Sequence, residues 1–237
     1  GGTGYLGSHA AQQLKLAGFE VLCAVRQGGN CDFLESLDVG IEVVDFSDID
    51  AIAATIIADS IVVNCIAETA MHMSDEQRRP VEVELTTRLI NAAKQAQAKR
   101  FIQLSTVMIY GFDRPEQAID ESYPVKPKYS YARIANERET ALFAVQQGSD
   151  IELAILRPSN TLGKRDSSAM PSIMQNYSKG KFAVIGGGDW RFSCIDARDV
   201  GRAIAHLCTI ELGGPEIFLA KAYDITWLDV KLSLIHI

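Results

Sequence analysis

The chain has 237 residues, 47% of them hydrophobic, and a net charge of −7, with no apolar run long enough to cross a bilayer. An isoelectric point near 5.2 excludes a broad phosphate-neutralising surface, and with it a nucleic-acid partner. Five scattered cysteines, without a CxxC pair or a His/Cys cluster, argue for reduced thiols and against a metal site; the expectation is a soluble cytoplasmic protein without a membrane partner.

The chain opens on GGTGYLG, with glycines at 1, 4 and 7 before a helix expected from about Ser8 to the capping Gly18. A backbone that approaches a pyrophosphate closely cannot carry Cβ atoms, and a helix N-terminus offers N–H donors to the anion. Strands are expected at 19–26, 41–46, 60–67, 100–106 and 151–158, with helices at 49–58, 81–98 and 131–147 between them. Short buried strands alternating with helices predict an α/β fold, a doubly wound parallel sheet of Rossmann type. The expected organisation is a dinucleotide-binding domain over 1–158 that lacks its first, central strand, so that neighbouring strands are left with unpaired edges and the chain folds poorly. A partial substrate-binding region over 159–231 interleaves with it, and the closing LSLIHI (232–237), which a sequencing adapter would encode, is expected to be a non-native tail. Asp199, within IDARDVGRAI, is expected to cap a late helix.

Arg26 closes the first visible strand. An acidic residue there suits the ribose hydroxyls of NAD, whereas arginine suits the extra phosphate of NADP, so NADP is slightly favoured over NAD. Asp45 and Phe46 end the next strand and would lie beside the adenine, Asp45 being equally suited to cap the helix after it.

GGTGYLG, VVNCIA, FIQLSTVMIYG, LRPSNTLG and GGGDWRFSCIDARDVGRAI, in this order, resemble the extended short-chain dehydrogenase/reductase family, the NAD(P)-dependent epimerases and dehydratases. The resemblance implies cofactor contacts at Gly1, Gly4, Tyr5, Leu6, Gly7, Arg26, Asp45, Phe46, Ala67 and Pro158. It implies a catalytic hydroxyl on Thr106, four residues before Tyr110 of the YG pair, and a catalytic tyrosine at Tyr131, which precedes Arg157 of LRP by 26 residues. Tyr129 is the competing register, with Arg133 in the place of the family's lysine. Under the Tyr131 register that place holds Ala135, and the family's asparagine is replaced by Glu82. The lysine lowers the tyrosine pKa in the family; bringing a tyrosine from about 10 to about 7 requires about 4 kcal/mol, which an alanine cannot supply.

Asn160 and Arg191 match positions that hold the substrate diphosphate in sugar-nucleotide enzymes, and a guanidinium fork suits such an anion. The resemblance therefore implies an epimerase, dehydratase or reductase acting on a nucleotide-linked sugar, a small-molecule substrate, in a possible homodimer. A carbonyl reductase of a non-nucleotide ketone, and a weakly or non-catalytic cofactor-binding sensor or scaffold, are the alternatives.

Overall fold

The computed structural model describes residues 1–113, 117–166, 169–181 and 185–234, so residues 235–237 of the expected tail lie outside it. Helix α1 (Tyr5–Leu16) precedes strand β1 (Leu22–Val25), the short helix α2 (Asp32–Glu35), β2 (Gly40–Val43), α3 (Ile49–Ala54) and β3 (Ile61–Asn64). Then come α4 (Asp75–Arg79), a π-helical turn (Pro80–Glu84), α5 (Leu85–Gln95), β4 (Arg100–Leu104), a 3-10 turn (Val107–Tyr110), α6 (Ser130–Gln146) and β5 (Glu152–Pro158). The remainder is β6 (Asn160–Leu162), α7 (Ala169–Ser178), a second 3-10 turn (Ile185–Gly188), β7 (Arg191–Asp196), α8 (Ala197–Leu207), β8 (Glu216–Ala220), β9 (Tyr223–Thr226) and α9 (Trp227–Leu234).

Strands β3, β4, β5 and β8 form a parallel sheet in the order β3-β4-β5-β8. Every residue of β4 is buried, as a parallel strand covered on both faces requires. Phe101, Leu153 and Ile155 face one side, where α3, α5 and α6 pack with Ile52, Leu89, Ile90 and Leu142. Ile102, Leu104, Ala154 and Leu156 face the other, against α1 and α8 through Ala10, Leu14, Val200 and Ile204. Gly201 lets those two helices approach closely, since a Cβ there would stand 2.6 Å from the His9 carbonyl oxygen. The buried Arg100 guanidinium donates to Glu152 and to the carbonyls of Leu207 and Ile210, tying the end of α8 to the sheet.

Strands β1 and β2 pair separately and in parallel, and β6, β7 and β9 form a third, mixed sheet. The β1 and β3 edges face each other without pairing, across a cleft of about 810 Å³ lined by Val21, Cys23, Ile61 and Val63. Strand β8 joins the main sheet beside β5.

The boundaries differ from the sequence expectations in physically clear ways. Helix α1 starts at Tyr5 rather than near Ser8, because Gly4 already has extended backbone angles and the turn closes through Gly4 N–H to the Gly1 carbonyl. Gly18 stands one position beyond the Ala17 cap with φ +88°, where glycine relieves the left-handed strain. The expected helix over 81–98 is broken into a π turn and α5. Asp196, not Asp199, caps α8 by accepting the Arg198 N–H; Asp199 lies in the first turn and pairs with Arg202.

Candidate active site

The site lies beyond the carboxyl ends of β3, β4 and β5, where open α/β sheets bind ligands. The glycine turn crosses directly over the end of β3: a Cβ on Gly1 would meet the Cys65 carbonyl carbon at 2.6 Å, and one on Gly7 would meet the Gly1 carbonyl oxygen at 2.0 Å. Gly4 caps α1 without any side chain, and the first intrahelical partner goes to Ser8 N–H, so the N–H groups of Tyr5, Leu6 and Gly7 remain for an anion. A turn that excludes side chains and presents free donors fits the pyrophosphate of a dinucleotide.

Next to this turn is a small cavity of about 160 Å³ whose lining includes Leu6, Thr106, Tyr131, Pro158, Ser159 and Asn160. Thr106 caps the 3-10 turn by accepting the Met108 N–H at 3.2 Å, and its side chain lines the same cavity as Tyr131. Tyr131 sits in the first turn of α6. Burial pushes its pKa above the ordinary value and the Glu82 carboxylate adds to this, while Arg138, Thr106 and Arg78 oppose it.

Around the cavity several buried polar groups are paired. Glu82, in the π turn, accepts from the Glu68 N–H and forms an ion pair with Arg138, which also donates to the Leu104 carbonyl. Ser105 donates to Glu139, and Arg157 bridges Glu139 and the Tyr110 hydroxyl. Asn64 donates to Thr86 and Gln103, which locks the end of β3 against α5 and β4. A π-helical turn within an α-helix commonly accompanies a functional site, and here it turns Glu82 inward.

Other residues singled out in the sequence fall into place unevenly. Arg26 is exposed at the end of β1. Asp45 is exposed and accepts from the Ser47 N–H and hydroxyl, closing its own turn, while Asp48 caps α3. The Phe46 side chain packs against the core under α3 and α5. Ala67 is exposed in the loop after β3, and Pro158 is buried at the end of β5. Asn160 lies in the cavity and donates to the Ser193 carbonyl at 3.0 Å. Arg191 lies outside that cavity, at the exposed start of β7, three residues before the Cys194 that is register partner to Asn160. Tyr129 is half exposed and stacks edge-on against Phe112, and Arg133 pairs with Asp75 on the surface. Ala135 is 1% exposed, packed with Ile109 and Tyr110.

Three participants were not visible in the sequence. Ser159 places a buried hydroxyl in the cavity with no hydrogen-bond partner among the described residues. Arg138 stands seven residues after Tyr131, two turns along the same helix face, and that spacing was the one available signal. Arg78 reaches Tyr131 from another helix, and no local pattern announces it.

The NAD dependent epimerase/dehydratase family profile matches residues 1–219. A Synechocystis protein described provisionally as a dihydroflavonol 4-reductase is 30% identical over 98% of this chain and 68% of its own length. A 4-hydroxy-2-methyl-3-oxo-4-farnesyl-3,4-dihydroquinoline-1-oxide ketoreductase from Stigmatella aurantiaca is 23% identical over 92% of this chain and 66% of its own. UDP-glucose 4-epimerase of Vibrio cholerae is 28% identical over 76% of this chain, which spans 56% of that enzyme. Among solved structures, a dTDP-glucose 4,6-dehydratase from Streptomyces venezuelae with NAD and TYD bound superposes with a TM-score of 0.84, covering 100% of this chain and 79% of that one at 22% identity. Among the described residues no helix is long and apolar enough to cross a membrane.

Proposed function

The chain belongs to the NAD dependent epimerase/dehydratase family, and on that premise we propose that it is a reductase that uses NADPH or NADH to convert a ketone to an alcohol, with Tyr131 as proton donor. The observation that carries this reading is the cavity that joins Thr106, Tyr131 and Asn160 to Leu6 of the glycine turn. The N–H groups of Tyr5, Leu6 and Gly7 would hold the cofactor pyrophosphate, and Arg26 would hold the ribose end. Bound there, a nicotinamide supplies the hydride that reduces the carbonyl carbon.

The rest is the work of this chain's own residues. Asn160 and Ser159 bind polar groups of the substrate beside the carbonyl. Thr106 shares the cavity with Tyr131 and would hydrogen-bond the substrate oxygen beside it. As the carbonyl carbon is reduced, the Tyr131 O–H bond breaks, its proton forms the new O–H on the substrate oxygen, and the bonding pair stays on the phenolic oxygen until solvent returns a proton. Burial raises the Tyr131 pKa above its ordinary value, which opposes a role as base. That direction favours reduction over an oxidation-first reaction. The Synechocystis and Stigmatella relatives, which match over nearly the whole chain, carry reductase names.

An epimerase or dehydratase of a nucleotide-linked sugar is the second reading, favoured by Asn160 in the cavity and by the Vibrio relative. A panel of ketones and of UDP- and dTDP-sugars, assayed for NADPH and NADH oxidation with wild type and Tyr131→Phe, tests the proposal. Turnover of ketones that falls by about 10²- to 10⁴-fold in Tyr131→Phe, with cofactor affinity unchanged, is expected. Turnover of sugar nucleotides alone would move the second reading ahead. Cofactor binding without any turnover would favour a sensor or scaffold.

A further inference from the structure

The described residues include four buried arginines, Arg78, Arg100, Arg138 and Arg157. Three have a carboxylate partner: Arg100 has Glu152, Arg138 has Glu82 and Arg157 has Glu139. Arg78, fully enclosed at the end of α4, has none. Its terminal nitrogens donate to the carbonyls of Glu68 and Ala70, and its Nε–H has no partner among the described residues. A buried charge satisfied only by neutral dipoles is costly unless it serves another group. The group beside it is Tyr131: the Arg78 Cζ lies 5.5 Å from the Tyr131 ring centroid, within the range of a cation–π contact.

We propose that Arg78 is a positioning residue that supplies, from α4, the positive charge that Ala135 cannot supply from α6. The inference rests on Tyr131 being the proton donor. Three charged groups bear on that side chain: Arg78 from α4, Glu82 from the π turn and Arg138 from α6. Arg138, the stronger of the two positive influences on Tyr131, is already paired with the Glu82 carboxylate. The charge of Arg78 has no carboxylate partner among the described residues, so it favours the phenolate that forms when Tyr131 gives up its proton. The Ser74 capping box holds α4 in place, and the two carbonyls fix the guanidinium, so the charge is set before any ligand arrives.

Spectrophotometric titration of tyrosinate in the full chain, read as the difference between each protein and its Tyr131→Phe counterpart, tests this without substrate or cofactor. In Arg78→Met the Tyr131 midpoint is expected to rise by at least one pH unit, a tenfold fall in its ionisation constant. Arg78→Lys is expected to stay nearer wild type, an order that a purely structural role would not produce. Arg78→Gln, neutral but still a donor to the carbonyls, serves if the Met variant does not fold and is expected to shift the same way. An unshifted midpoint in Met or Gln, or Lys and Met shifting alike, overturns the inference. Failure of the reductase assay with the titration shift intact would overturn only the functional reading of the site.

Discussion

Arg138 and Glu82 form an ion pair in which the two side chains are 3% and 2% exposed, between the π turn and α6. Breaking a buried pair from one side strands a charge and typically costs about 3–5 kcal/mol, whereas replacing both by apolar residues is often neutral. Glu82→Ala and Arg138→Ala are each expected to lose that much stability in urea unfolding. Glu82→Leu with Arg138→Met is expected to lose far less than the sum. A loss in the double variant equal to the sum of the two single losses would show that the pair is not the source of the cost.

The glycine turn makes a second expectation sharp. Gly7→Ala puts a Cβ where the Gly1 carbonyl oxygen stands, 2.0 Å away, so the turn must open and the free N–H groups must move. Dinucleotide affinity is expected to fall at least tenfold in a fluorescence titration, with most of the fold retained. Retained affinity would remove the turn from the cofactor site.

Arg26 is exposed at the end of β1, with no side-chain partner among the described residues. Wild type is expected to bind NADPH more tightly than NADH by roughly tenfold, the scale of one charge-assisted hydrogen bond. Arg26→Asp is expected to reverse the order. Calorimetry with both cofactors measures this, and equal wild-type affinities would sink the preference.

Stability should decline in alkali. Burial pushes the thiols of Cys65, Cys194 and Cys208 up to about 11, from an ordinary value of 9.0. Burial likewise raises the Tyr5 and Tyr131 hydroxyls. Each group binds its proton more tightly in the folded chain. The stability it contributes is therefore whole below its unfolded pKa and is lost as pH rises through the folded one. With reductant present, Tm is expected to hold to about pH 8.5 and then to fall steadily from about pH 9 to 11. A flat Tm across that window would contradict it.

Ala135 and Arg133 separate the two tyrosine registers. Ala135 is packed against Ile109 and Tyr110, so Ala135→Lys must displace them. It is expected to lose about 1–3 kcal/mol through overpacking and desolvation, and not to raise turnover. Arg133→Ala removes only a surface pair with Asp75, expected to be worth under about 1 kcal/mol, and should leave turnover unchanged. Loss of activity in Arg133→Ala would restore the Tyr129 register.

Most of the parallel sheet was legible because its signals are local: runs such as FIQL and LAILR alternate with amphipathic helices, and each contact face is set by periods of two or 3.6 residues. The glycine turn was legible for the same reason. The start of α1 was misplaced because Gly4 caps it without a side chain, and cap recognition rests on side chains. Asp199 was misread as a cap because two aspartates stand three residues apart, and only the backbone angles at Asp196 decide between them. In the candidate site, Thr106, Tyr131 and Asn160 were singled out through the family resemblance, and they line one cavity, but no such resemblance pointed to Arg78. It meets Tyr131 through tertiary packing across 53 residues of chain, a relationship no window of sequence contains.

The cleft between β1 and β3 gives the molecule the character of a receiver in a split-protein pair. Each wall is a parallel edge with one side of its backbone N–H and C=O groups open, and apolar side chains lie above and below. An extended apolar peptide supplied in trans would find hydrogen-bond partners on both sides at once and would join the β1–β2 ribbon to the main sheet. Because the glycine turn rests on the end of β3, such a peptide would also brace the cofactor cradle. Folding and dinucleotide affinity would then rise together with peptide concentration, so the two can be read as one reconstitution signal.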